Sequence, residues 1–183
     1  MSNEANTPEP VDVGREVAAK AAALVGEADE LLADALKPGQ WPETGIAERF
    51  LSEGNLDRVL ALYGQAMRLD ASEPAYPWNL ASAMNRLGLN DLALGFLTRA
   101  IHLAEQRGEH EWSGPDAQLA LAEVAIDAGE YDLALTALAH ARADDDRNGR
   151  EAQIGDLLKE VRSERRDPQP QVSLASLLEQ LPA

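Results

Sequence analysis

The strongest constraint on this chain is a pattern that returns every 34 residues. Ile46, Ala47 and Phe50 are answered 34 positions later by Leu80, Ala81 and Met84. Gly54 is answered by Gly88, Val59 by Ala93, Tyr63 by Leu97, Ala66 by Ala100 and Leu69 by Leu103. The pattern returns again after 41 residues, the same step lengthened by a seven-residue insertion around 108–114. There Leu121, Ala122, Ala125, Gly129, Ala134, Leu138 and Ala141 match Leu80, Ala81, Met84, Gly88, Ala93, Leu97 and Ala100. A fixed period of this length marks a unit that cannot bury its apolar face alone and must stack on its neighbours.

The spacing predicts helical hairpins. Ala and Leu carry most of the apolar content while aromatics make up only 4%, which favours helices over strands. Helix A of each unit is expected to end at Gly54, Gly88 or Gly129, where a residue tolerating positive φ turns the chain cheaply. Pro74 and Pro115 open the second and third A helices, where a missing N–H removes no bond. Small residues (Ala47, Ala81 and Ala122 on A, Ala66, Ala100 and Ala141 on B) permit close helix approach. Tyr63, Leu97 and Leu138 fill the space between units.

The flanks read differently. Residues 1–11 are polar and proline-bearing and are expected to be a disordered arm. Residues 12–37 read as one helix closed by Pro38-Gly39. Its narrow stripe of Val17, Ala21, Leu24, Ala28, Leu31 and Ala35 suits packing onto the repeats or onto a second copy in a homodimer. Ile154, Leu157, Leu158 and Val161 predict a capping helix over 149–166. A proline linker and an amphipathic tail with Leu174, Leu177, Leu178 and Leu181 occupy 167–183. The tail is expected to dock, either as permanent structure or as a shield displaced by a partner.

The run Gly129-Glu130-Tyr131-Asp132-Leu133-Ala134-Leu135, with Leu121-Ala122 before it and Ala141 after it, resembles a tetratricopeptide repeat. Gly88 to Ala100 is a second match, and Gly54 to Leu69 a weaker one. There Glu53 stands at a usually apolar site and Val59 at a usually small one. The usual proline at the end of helix B is missing from all three units. The resemblance spans residues 40–148 as units 40–73, 74–107 and 115–148. It implies an all-α, right-handed α-solenoid whose A helices line a concave groove for a polypeptide. Carried over position by position, the groove residues would be Thr44, Glu48 and Leu51. The second unit adds Trp78, Asn79, Ser82, Asn85 and Arg86, and the third Leu119, Glu123, Ile126 and Asp127. Only Arg86 in this set is cationic, so the basic clamp with which some relatives hold a C-terminal carboxylate is missing. A peptide or helix with apolar anchors and positive charge fits the wall better. The overall plan is also similar to the small acidic three-repeat chaperones of type III secretion, which hold apolar client segments.

Charge and motif content narrow the function. The formal net charge is −16, which opposes nucleic-acid binding and suits either solubility or a basic partner. The acidity lies in 1–146, whereas 147–166 carries a small basic excess. There are no cysteines, so thiol nucleophiles and cysteine-ligated zinc are excluded. No secretory leader or membrane span is expected, and the cytoplasm is the default location. No phosphate-binding loop, dinucleotide fingerprint or nucleophile elbow is present. His102, His110 and His140 lack metal-ligand spacing. Asp144, Asp146, Asn148 and Gly149 imitate the first half of a calcium loop, but its closing acid would fall on Gly155. The expectation is a non-catalytic adaptor or scaffold without cofactor or metal. The secretion-type chaperone is the sharper alternative, and an enzyme or accessory subunit the remote one.

Overall fold

The computed structural model describes residues 13–36, 46–143 and 149–165. The arm, Pro38-Gly39, the calcium-like run at 144–148, the linker and the tail lie outside them. The described residues form nine helices and no strand: α1 (Val13–Ala35), α2 (Ile46–Ser52), α3 (Asn55–Leu69), α4 (Ala75–Arg86), α5 (Asn90–Arg107), α6 (His110–Ser113), α7 (Pro115–Asp127), α8 (Tyr131–Ala143) and α9 (Glu151–Glu164). The closest packing joins α1 to α3, α4 to α5 and α7 to α8. Successive pairs meet through α3 with α4 and α5 with α7, while α9 lies against α7 and α8.

Glycine closes the hairpins as the sequence predicts. Gly54, Gly88 and Gly129 have φ of 69°, 73° and 74°. After α4, Leu89 N–H donates to the Met84 carbonyl at 2.9 Å and Gly88 N–H to that of Asn85 at 2.9 Å. After α7, Glu130 N–H donates to Ala125 at 2.7 Å and Gly129 N–H to Ile126 at 2.9 Å. These paired bonds satisfy carbonyls that a helix end leaves open, and they require a left-handed residue at the corner. Pro74 caps α4 and Pro115 is the first residue of α7.

The first unit corrects the sequence reading. The principal partner of α3 is α1, not α2. An apolar stripe along the whole of the 15-residue α3 needs a facing stripe of similar length. The 23-residue α1 supplies that stripe with Ala21, Val25, Ala28, Leu32 and Ala35, all buried at spacings of 4 and 3. Leu24 and Leu31, expected at the centre, lie half-buried at its margin. The fully buried Tyr63 of α3 donates its hydroxyl to Asp29 Oδ1 on α1 at 2.6 Å. Burial, then this bond and the Asp29 charge, hold the phenol far above its ordinary range, so it stays neutral.

At the other end, α9 lies against the last helix pair, α7 and α8. Ile154, Leu157 and Val161 are buried against the last pair. Arg150 Nε donates to Asp116 Oδ1 at 2.6 Å, and Arg142 Nη2 to Glu151 Oε1 at 2.5 Å. Arg165 reaches Asp132. These contacts join the start of α9 to the start of α7 and the end of α8, so α9 runs parallel to α7.

Candidate functional site

The expected groove residues separate into two groups. Asn79, Ser82 and Arg86 are exposed along α4, with Asn85 half-buried beside them. Glu123 and Asp127 are exposed on α7. Leu51, Leu119 and Ile126 are not wall residues in the described chain. They are buried at 8%, 3% and 5% exposure and belong to the core. For Leu119 and Ile126 the reason is enclosure: α7 contacts α5, α8 and α9, and eight of its thirteen residues are buried. Thr44 and the Glu48 side chain lie outside the described residues.

Polar ties fix the surface around α4 and α7. Arg86 Nη2 donates to the Leu36 carbonyl at 3.0 Å, joining the ends of α4 and α1. Asn90 Nδ2 donates to the Asp127 carbonyl at 3.1 Å, joining the start of α5 to the end of α7. Gln153 Nε2 of α9 donates to Glu123 Oε1 at 3.1 Å. The Asp127 carboxyl is pushed up from its ordinary range, first by burial, then by the charges of Glu160 and Glu123. The α7–α9 seam is therefore acidic.

The sequence reading missed the most distinctive surface feature. The insertion folds into α6 and carries Trp112 against Trp78, with ring centroids 5.2 Å apart and planes at 75°. Both indoles remain half-buried. The positioning is local. Gly108 closes α5 with φ 70°, and Glu109 N–H donates to the Ala104 carbonyl at 2.9 Å. Arg107 Nε then holds Glu109 Oε1 at 2.6 Å, while its Nη1 reaches the Ser72 carbonyl at 3.0 Å and Glu73 Oε2 at 3.5 Å. Glu73 Oε1 also accepts from Ala75 N–H at 3.1 Å, at the start of α4. The root of the insertion is thereby fastened to the first turn of α4, and Trp112 meets Trp78 one turn further along. Tyr76 in the same turn has its phenol pushed up, chiefly by burial and then by Asp70 and Glu73.

An open cleft of about 580 Å³ lies beside α6, lined by Glu105, Gly108, His110, Ser113, Gly114, Pro115 and Ala143. Among the described residues no group of three or more His, Cys, Asp or Glu is arranged to hold a metal. No described helix is long and apolar enough to cross a membrane. No family model and no curated protein matches the chain.

Proposed function

We propose that this chain is a non-catalytic interaction module that binds a polypeptide segment across its A helices, as an adaptor or scaffold. In this reading the helix pairs form a tetratricopeptide-like, right-handed α-solenoid, and α4 offers the central docking face. The observation that carries it is the outer stripe of α4. Asn79, Ser82 and Arg86 are exposed at spacings of 3 and 4, alongside the half-buried Trp78. Asn79 and Ser82 can both donate and accept hydrogen bonds, which next to an indole suits an extended or helical peptide. The net charge of −16 favours a basic one.

A chaperone groove for apolar client segments is supported less well. Val13 is the single large hydrophobic residue classed as exposed among those described, while Leu51, Leu119 and Ile126 are already spent in the core. The partner this surface suits is polar and cationic, with few apolar anchors.

The test is site-specific photocrosslinking in the native host. A photoreactive residue at Ser82, on the exposed stripe, is expected to capture a discrete partner. The same residue at Thr98, exposed on α5, is expected to capture none. Crosslinking from position 98 but not 82 would move the binding face to the B helices and overturn the groove.

A further inference from the structure

We infer that Trp78 and Trp112 form an aromatic socket for one arginine or lysine side chain of the bound polypeptide. This rests on the peptide-binding reading above and names the chemistry of one contact within it. Trp78 and Trp112 meet edge to face at 5.2 Å and 75° and both stay half-buried, so part of each residue's surface remains accessible. Among the described residues, most other large apolar side chains are packed in or against the core. Indole is the best of the side-chain rings for a cation, because its face carries the negative part of the quadrupole.

The surrounding charges select the same occupant. Arg107 at the root of α6 is held by two carboxylates, Glu73 and Glu109, so this cluster keeps a negative balance. Glu111, exposed and adjacent to Trp112, adds another negative charge. The raised Tyr76 phenol reflects, after burial, the charges of Asp70 and Glu73 in the same region. A carboxylate ligand would meet repulsion here. A neutral apolar anchor would gain the rings but nothing from the acids. A guanidinium can lie flat on indole while its N–H groups remain available to carboxylates, and an ammonium is drawn to the ring face and the acids as a point charge.

The experiment uses the full chain with Trp41→Phe, so that fluorescence reports Trp78 and Trp112. The probes are a Gly/Ser peptide bearing three arginines and its citrulline counterpart, which keeps the shape without the charge. Trp112→Leu removes the ring while leaving every formal charge in place. The arginine peptide is expected to perturb the fluorescence and to bind roughly fivefold more weakly to Trp112→Leu. The citrulline peptide is expected to bind weakly to both forms. Equal affinity of the arginine peptide for both forms would overturn the socket and leave only diffuse attraction to an acidic protein. If circular dichroism shows that Trp112→Leu loses helix, Trp112→Phe decides instead. It keeps an aromatic face, so the socket predicts an intermediate affinity, and affinity as weak as that of the Leu variant overturns it. Failure of the groove reads differently: crosslinking at Ser82 is then lost, while the arginine peptide still distinguishes Trp112 from Leu.

Discussion

α4 and α7 match each other in sequence at a shift of 41 residues, yet one is open and the other enclosed. Shifting by 41 residues puts Trp78 on Leu119, Asn85 on Ile126 and Arg86 on Asp127. On α4 these positions are half-buried, half-buried and exposed; on α7 the first two are core. The backbone is alike in both, since each helix ends in the same glycine-centred pair of hydrogen bonds. The difference lies in the neighbours and in residue choice. α9 docks along α7, whereas α4 meets the insertion at its first turn. A repeat register therefore fixes which way a side chain projects, and the next element in the chain decides whether that direction leads to water.

Substitutions can break or sharpen this contrast. The largest effect is expected from Leu119→Ala, which leaves a cavity in the core and should cost about 2–4 kcal/mol in chemical denaturation. Asn85→Ala at the matching α4 position should stay within about 1 kcal/mol. Equal effects would mean that α7 is as open as α4. Gly88→Ala and Gly129→Ala should each cost about 1–2 kcal/mol, because alanine is strained at positive φ whether or not the helix is covered. At Gly88 nothing would crowd the added carbon, so the loss there measures backbone strain alone. A large gap between the two would show that enclosure reaches the turn as well.

Arg150→Ala removes the Asp116 tie at the α7–α9 edge. The pair is partly exposed, so the loss should be below about 1 kcal/mol and should shrink in high salt. The smallest effect belongs to Asp127. Its folded pKa is raised, so the native chain holds this proton more tightly than the unfolded one. Its contribution to stability falls as pH rises from the ordinary carboxylate value through the raised one. Asp127→Asn should remove that slope and raise Tm slightly at pH 7. A lowered Tm would show that the carboxylate is held by a favourable contact at the seam.

The legible parts of the fold were those written in local backbone chemistry. Gly54, Gly88, Gly129, Pro74 and Pro115 announce their conformations without reference to distant contacts, and the Ile154–Val161 stripe announces a docked helix. The partnership of α1 with α3 was hidden because α1 stands outside the 34-residue register that made Ile46 to Phe50 look like the partner. Leu119 and Ile126 were assigned to a wall because register gives direction but not the position of α9. Trp112 gave no periodic signal at all. A lone aromatic in an insertion has meaning only when folding sets it against a second ring, as it does at Trp78.

Three of the long-range ties share one chain distance: Asp29 with Tyr63, Glu73 with Arg107 and Asp116 with Arg150 are each 34 residues apart. Folding of such a chain closes loops of one size again and again, and the principal helix contacts likewise join elements near in sequence. Low contact order of this kind favours fast folding, because little chain entropy is lost before a contact forms. Each added unit repeats the same closure instead of demanding a longer one. Among the three principal pairs, α1–α3, α4–α5 and α7–α8, the closure of α1 onto α3 is the one that spans a further described helix, α2. That loop carries a slightly larger entropic barrier, which makes the first unit the natural place for the array to begin to open.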